Sequence, residues 1–230
     1  MDFSNINVLV TGASKGIGKC LCRILHEYGA TVIGVYNNTK IEDELYDTYK
    51  CDISNEEEIK KLFAYVIKRH ERLDVLINCA AISIDDDIYD KSKEEFMRVL
   101  GVNLVGTFLM CKYASKIINH GVIINVASTD GINTFSPLSM DYASSKAGII
   151  NLTKNLALRF PNLKICAIAP NWVDTKTTLD IEKEYLESEL KRVGQSKLIK
   201  KEEVALKIIE MIINDDYVSG EIVRMDGTDE

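Results

Sequence analysis

Apolar runs of strand length alternate along this chain with longer segments whose apolar residues recur at helical spacing. The first run, INVLVTG (6–12), is followed over 16–28 by Ile17, Leu21, Ile24, Leu25 and Tyr28, a helical stripe that Gly29 ends. TVIGVY (31–36) is a second strand, and a short third lies near 45–51. Ser54 reads as the N-cap of a helix over 55–70, whose Glu56, Glu57 and Glu58 suit its positive end. DVLINCA (74–80), VIINVAS (122–128), LKICAIAP (163–170) and EIVRM (221–225) are further strands. Helices are predicted over about 93–119, 140–160 and 201–213, with a loop region over 171–200. The strands are apolar on both faces, as in a parallel sheet covered by helices on either side. The pattern predicts an α/β fold in three layers, a doubly wound parallel sheet of about seven strands with right-handed crossovers. No repeat, low-complexity tract or Pro/Gly-rich linker divides the chain, so residues 1–230 are expected to form one domain.

Composition narrows the class. Over 230 residues, 46% are hydrophobic and 27% charged, as in an ordinary globular protein. A net charge of −7 argues against nucleic acid as a partner. The N-terminus lacks the basic, apolar signature of a secretion signal, and no apolar stretch reaches the roughly 18 residues of a membrane span, so a cytoplasmic protein is expected. The six cysteines are scattered through apolar segments and read as buried thiols, with no metal site implied.

The chemistry begins at residues 11–18, Thr-Gly-Ala-Ser-Lys-Gly-Ile-Gly, between the first strand and the first helix. Gly12, Gly16 and Gly18 permit a tight turn, and a helix N-terminus there offers positive potential to a dinucleotide diphosphate. The spacing is neither G-x-G-x-x-G nor a Walker loop, and taken alone it also fits a ligand-free turn. Downstream, Tyr142 and Lys146 stand four apart, on one face of a helix. A cation beside a phenol favours the phenolate and lowers a pKa that is ordinarily near 10.

These features, with Asp52, Asn78-Cys79-Ala80-Ala81, Asn103, Ser128, Pro170-Asn171-Trp172-Val173-Asp174-Thr175 and SGEIVRMDG (219–227), resemble the short-chain dehydrogenase/reductase family over nearly the whole chain. The 3-oxoacyl-(acyl-carrier-protein) reductase branch is the most similar in overall pattern. The resemblance implies a Rossmann-type fold and hydride transfer between a nicotinamide dinucleotide and a carbonyl or secondary alcohol. It assigns Tyr142 as proton donor, Lys146 to the phenol and the nicotinamide ribose, Ser128 to the substrate oxygen and Asn103 to a water that links Lys146 with solvent. It places Gly12, Ser14, Lys15, Gly16, Ile17, Gly18, Asn37, Asn38, Asp52, Ile53, Asn78, Ala80, Tyr142, Lys146, Pro170, Val173 and Thr175 at the cofactor, and it implies a homotetramer or homodimer through the helices at 93–119 and 140–160.

Three positions depart from the family. Ala81 and Asn171 replace glycines, and the Ser128-to-Tyr142 interval is 14 residues, one longer than usual. Asn171 is expected to tolerate a special backbone angle if one is required.

The end of the second strand, Val35-Tyr36-Asn37-Asn38-Thr39-Lys40, carries no carboxylate before Glu42. An acid there would hold an NAD ribose and repel a 2′-phosphate. Its absence, with Lys15 in the glycine turn, points to NADP(H).

Specificity is expected in residues 174–200, where Leu179, Leu186, Leu190 and Val193 mark a helical lid over the site, or else a plain surface helix. Trp172 and Phe135 are candidates for the pocket wall or the core. A carrier-borne acyl substrate requires a basic docking face, for which Lys116, His120, Arg159 and Lys164 are candidates. A sugar, polyol, steroid or other small carbonyl substrate is the alternative, and a non-catalytic dinucleotide-binding sensor is a third reading.

Overall fold

The structure, a computed structural model, describes residues 2–42 and 45–227. Seven strands form one parallel sheet: β1 (Asn7–Thr11), β2 (Thr31–Tyr36), β3 (Asp47–Lys50), β4 (Val75–Asn78), β5 (Gly121–Val126), β6 (Leu163–Pro170) and, completing the edge, the strand Ile222–Met225. A separate pair joins β7 (Val173–Asp174) to β8 (Ile199–Lys200), which makes Ile222–Met225 β9. The main sheet runs β3-β2-β1-β4-β5-β6-β9, so the winding direction reverses between β1 and β4. A crevice opens at such a reversal outside the carboxyl ends of the strands.

Alternation along the strands explains why both faces had to be apolar. Val8, Val10, Ile77, Ile124 and Ile168 face α1 (Gly16–Glu27) and α8 (Lys201–Ile213). Leu9, Leu76, Ile123 and Ile165 face the other layer, which includes α2 (Glu56–His70). Helices α3 (Lys93–Leu100), α4 (Thr107–Ala114) and α5 (Met140–Arg159) lie on that second side, while α6 (Lys176–Leu179) and α7 (Lys183–Val193) belong to the excursion between β7 and β8.

Local chemistry corrects three expectations. Asn55, not Ser54, caps α2: its side chain accepts the Glu57 and Glu58 N–H groups at 3.0 and 3.3 Å. Ser54 instead donates its hydroxyl to Asp52 at 2.7 Å. The helix predicted over 93–119 is interrupted by a π-helical stretch, Gly101–Gly106. There the Asn103 side chain is held by groups outside the helix, and its carbonyl accepts the Thr107 hydroxyl at 2.6 Å. The region 171–200 is not a loop but contains β7, α6, α7 and β8.

Candidate active site

Four strand ends converge on the crevice. At β1, Thr11 accepts the N–H groups of both Cys79 and Ala80 at 3.0 Å, which latches the exit of β4 to the glycine turn. A Cβ on Gly12, at φ +70°, would lie 2.8 Å from the Ala80 Cα. A Cβ on Gly18 would lie 2.3 Å from the Gly12 carbonyl oxygen. Only bare backbone fits at either point, and the chain is thereby folded tightly against the start of α1.

The N-terminus of α1 has no side-chain cap and no acid in its first turn. That contrasts with α2, which has an asparagine cap and three glutamates. A positive helix end without a side-chain cap suits a diphosphate, with the Gly18 amide already turned to the Cys79 thiol. Ser14, Lys15, Gly16, Ile17 and Gly18 are the residues of this turn. Across the crevice, a Cβ on Gly16 would meet the Thr175 methyl at 3.5 Å, and the Lys15 ammonium lies 3.5 Å from the Thr177 hydroxyl. The turn and the segment after Pro170 and Val173 thus form facing walls. Asn37 is half-buried and Asn38 exposed at the end of β2.

Several residues expected at the cofactor also have partners within the fold. The Asn78 side chain is buried on the α4 side of the sheet, where it donates to Asn125 at 2.9 Å and to the Cys111 sulfur at 3.3 Å. Asn125 in turn donates to Thr153 at 2.9 Å. The Ile53 side chain packs in the second core layer beneath Gly106. Asp52 accepts both the N–H and the hydroxyl of Ser54. The Asn78 placement makes a sharp expectation: Asn78→Ala should cost about 1 kcal/mol, because it removes the bond to Asn125, whose Oδ1 keeps only the weak Cys111 thiol donor, while it also removes the buried unpartnered Oδ1 of Asn78. Its dinucleotide affinity should stay within about threefold of wild type. Thermal unfolding and fluorescence titration on one sample measure both.

Ser128, Tyr142 and Lys146 come together at the end of β5. Ser128 is buried, its hydroxyl accepts the Asp130 N–H at 3.2 Å, and it faces the Tyr142 phenol. The longer interval between Ser128 and Tyr142 is taken up by a 3₁₀ turn, Thr129–Gly131, and the loop after it. Lys146 is buried, with its ammonium 5.3 Å from the Tyr142 ring centroid, and donates to the Val126 carbonyl at 2.6 Å. Asn103 is brought to the same region. Its amide accepts the Ile82 N–H at 2.9 Å and donates to the Ile82 carbonyl at 2.9 Å and to Ser145 at 3.1 Å. Its side chain is therefore committed to pinning the β4–α3 connection onto α5.

The electrostatics differ from the simple Tyr–Lys expectation. Burial pushes the Tyr142 phenol well above its ordinary range, the Asp130 carboxylate pushes it further, and the nearby Ser128 hydroxyl opposes them. Asp85 and the Cys79 thiol act in the same direction as Asp130. Burial lowers the Lys146 ammonium to about 8, opposed by Cys79 and Asp130. These side chains by themselves hold the phenol protonated at neutral pH. The folded state sheds the Lys146 proton near pH 8, whereas the unfolded chain keeps it to about 10.5. Wild-type stability should thus rise relative to Lys146→Met by about 3 kcal/mol as pH climbs from 7 through 10.5. Denaturant titrations of both proteins at several pH values measure this; an unchanged difference would show that Lys146 is not desolvated.

Sequence reasoning missed Asp130, Asp85, Arg192 and Gln195. Gln195 is buried, accepts the Trp172 N–H at 3.0 Å and donates to the Trp172 carbonyl at 2.8 Å, fastening the segment after β6. No motif marks such residues, because their role depends on elements distant in sequence. Asn171 needs no special backbone angle: it is not among the residues with positive φ, and its N–H donates to the Met225 carbonyl at 2.9 Å. Ala81 is exposed. Trp172 is half-buried, and Phe135 is 69% exposed, so Phe135 belongs neither to the core nor to an enclosed pocket wall. The expected basic face also moves. Lys116, His120, Arg159 and Lys164 lie at the amino ends of β5 and β6, whereas Ser128 lies beyond the carboxyl end of β5. Six residues of strand separate them, roughly 20 Å. All six cysteines are free thiols. No described helix is long and apolar enough to cross a membrane, and no three His, Cys, Asp or Glu among the described residues could hold a metal ion.

This arrangement is that of a dinucleotide-dependent oxidoreductase. Residues 6–186 match the short chain dehydrogenase family, and the chain belongs to it. Family membership brings oxidoreduction at a CH–OH group with a nicotinamide dinucleotide. The 3-oxoacyl-[acyl-carrier-protein] reductase FabG of Thermotoga maritima is 33% identical over 95% of this chain and 95% of its own. Glucose 1-dehydrogenase 2 of Bacillus subtilis is 29% identical, covering 98% of this chain and 95% of its own. The aldohexose dehydrogenase of Thermoplasma acidophilum in ligand-free form superposes with a TM-score of 0.87 at 25% identity, over 98% of this chain and 94% of that one.

Proposed function

We propose that this chain interconverts a ketone and a secondary alcohol with NADP(H), using Tyr142 as the group that gives and takes the proton. The observation that carries the reading is the meeting of the Tyr142 phenol, the Ser128 hydroxyl and the Lys146 ammonium beside the uncapped start of α1. A bound nicotinamide dinucleotide would supply the hydride for the carbonyl carbon. In reduction, the protonated phenol donates to the developing alkoxide. Ser128 holds the substrate oxygen within reach of it. Lys146 orients the ring from one helical turn away and would hold the ribose hydroxyls. The Asn103 amide is taken by Ile82 and Ser145, so its contribution is to fix α5 rather than to hold a water by its side chain. Residues 174–200, carrying α6 and α7, act as the lid.

NADP(H) is favoured by the absence of a carboxylate over Val35–Lys40 and by Lys15 at the mouth of the crevice. Lys15→Ala should weaken NADPH binding roughly tenfold while leaving NADH binding nearly unchanged, because only the 2′-phosphate requires the cation. Fluorescence titration with each nucleotide tests it; equal losses for both would reverse the preference.

A small, soluble carbonyl compound is favoured over an acyl group borne on acyl carrier protein. Two carboxylates, Asp85 and Asp130, act on the phenol, while the basic residues that could dock an acidic carrier sit at the far edge of the sheet. Initial rates with NADPH and a panel of aldoses, hydroxyketones, simple ketones and acetoacetyl thioesters decide between them. Turnover of the thioester alone would restore the carrier reading, and NADPH binding without any turnover would make the chain a sensor. The protein is proposed to act in the cytoplasm as a homodimer or homotetramer, which sedimentation velocity measures.

A further inference from the structure

The α7 segment is rich in charge of both signs and mostly exposed, yet one of its carboxylates, Glu189, is buried. Its partner is Arg192, one turn along, which donates from Nε to Oε1 at 2.9 Å and from Nη2 to Oε2 at 2.6 Å. The fork leaves Nη1 pointing away from Glu189, and it donates to the carbonyls of Thr134 at 2.7 Å and Phe135 at 2.9 Å. Thr134 is itself buried, and its hydroxyl donates to the Asp130 carboxylate at 2.6 Å. The Asp130 N–H donates to the Ser128 hydroxyl, which meets the Tyr142 phenol. Bonded contacts therefore run from the candidate lid to Ser128, the hydroxyl that faces the proposed proton donor.

We propose that Arg192 and Asp130 are positioning residues that tie docking of helix α7 to the alignment of the Ser128 and Tyr142 hydroxyls, so that the lid and the proton-transfer pair are set together. The inference rests on the proposed role of Tyr142, but its structural half does not. The geometry explains why each member is where it is. A planar guanidinium can serve a carboxylate with one edge and two carbonyls with the rest, which a lysine cannot. A threonine hydroxyl between the loop carbonyls and Asp130 fixes the loop's shape. Asp130 then has its backbone committed to Ser128 and one carboxylate oxygen to Thr134, so its position is set from both ends. Its charge bears on Tyr142 together with Asp85, Cys79 and the facing Lys146.

Two measurements test the proposal. Native-state hydrogen exchange reads α7 directly, with the β5 and β6 amides as an internal reference for global folding. Asp130 makes no hydrogen bond to α7, although its charge acts on Arg192; Asp130→Ala should speed exchange in residues 183–193 about tenfold, and Asp130→Asn, which removes the charge but keeps an acceptor for Thr134, should restore it because the bonded train carries the coupling. Arg192→Lys should speed it similarly. In ketone reduction, Arg192→Lys and Asp130→Ala should each lower kcat/KM by ~10²-fold with dinucleotide affinity retained, and the double variant should lose little more, because both break one train. Asp130→Asn should keep the alignment but move the alkaline fall-off of reduction to lower pH, since removing a negative charge makes the phenol easier to ionise. Unchanged α7 exchange in Asp130→Ala, or losses that simply multiply in the double variant, would overturn the coupling. If the wild-type protein reduces no ketone, the functional reading fails and the exchange arm still decides the train.

Discussion

Replacing Tyr142 with Phe should leave a folded protein that binds the dinucleotide normally and reduces ketones about a thousandfold more slowly or worse. The expectation follows from what the substitution removes. The ring stays, and with it the ammonium of Lys146 at 5.3 Å from its centroid. The Lys146 bond to Val126 stays as well. The phenol faces Ser128 and anchors no other described side chain by a hydrogen bond, so little structure is lost. What disappears is the proton proposed for transfer to the substrate oxygen, and a placed general acid contributes typically ~10²–10⁴-fold. Single-turnover rates beside NADPH titrations separate chemistry from binding. A variant that keeps a tenth of wild-type turnover would mean that another group delivers the proton. Burial and Asp130 hold the phenol protonated here, so the reductive direction begins from the form it needs. Alcohol oxidation needs the phenolate, and its rate should climb with pH.

Gly18→Ala should lose both dinucleotide binding and much of the protein's stability. The added methyl would fall 2.3 Å from the Gly12 carbonyl oxygen and 2.8 Å from its carbon, and both are backbone atoms that no rotamer change can move. Relief requires α1 to shift away from the turn. Leu21, Cys22 and Leu25 of α1 are fully buried in the first core layer, so the shift disturbs well-packed side chains. Overpacking of this kind costs on the order of 1–3 kcal/mol, at the upper end where backbone opposes it. The same shift pulls the helix amides from the crevice, and affinity for the dinucleotide should fall by roughly a hundredfold, the equivalent of two strong hydrogen bonds. Chemical denaturation and NADPH titration report the two effects separately. An alanine variant that binds as tightly as wild type would show that the turn does not serve the diphosphate.

The two substitutions probe features of different legibility. The glycine turn could be read directly, since a strand, three glycines and a helix lie consecutively in the chain. The Tyr142–Lys146 pairing could also be read, because residues four apart on a helix share a face whatever surrounds them. Ser128 was found through family pattern alone; nothing local distinguishes it from a serine at any strand end. Asn78 shows the reverse. Its position in the pattern suggested the cofactor, but strand alternation turns its side chain to the α4 layer, where Asn125 and Cys111 receive it. The cap of α2 moved by one residue, from Ser54 to Asn55, because Asp52 claims the serine hydroxyl. The π-helical stretch around Asn103 was invisible because its cause lies in Ile82 and Ser145, on two other elements.

Hydrophobic periodicity and the order of turns determined the layered sheet, its winding and the presence of a dinucleotide turn, for these depend on neighbours within a few residues. Tertiary structure alone decided how charge is arranged around the phenol. Asp130 and Asp85 come from two different segments, and their charges add at Tyr142 over distance through a buried region. It alone also sent the basic residues before β5 and β6 to the edge opposite the site, since parallel strands carry their two ends to opposite sides of the sheet. Arg192 joins this site by reaching the carbonyls of Thr134 and Phe135, a contact between backbone and a side chain far along the chain that no periodicity encodes.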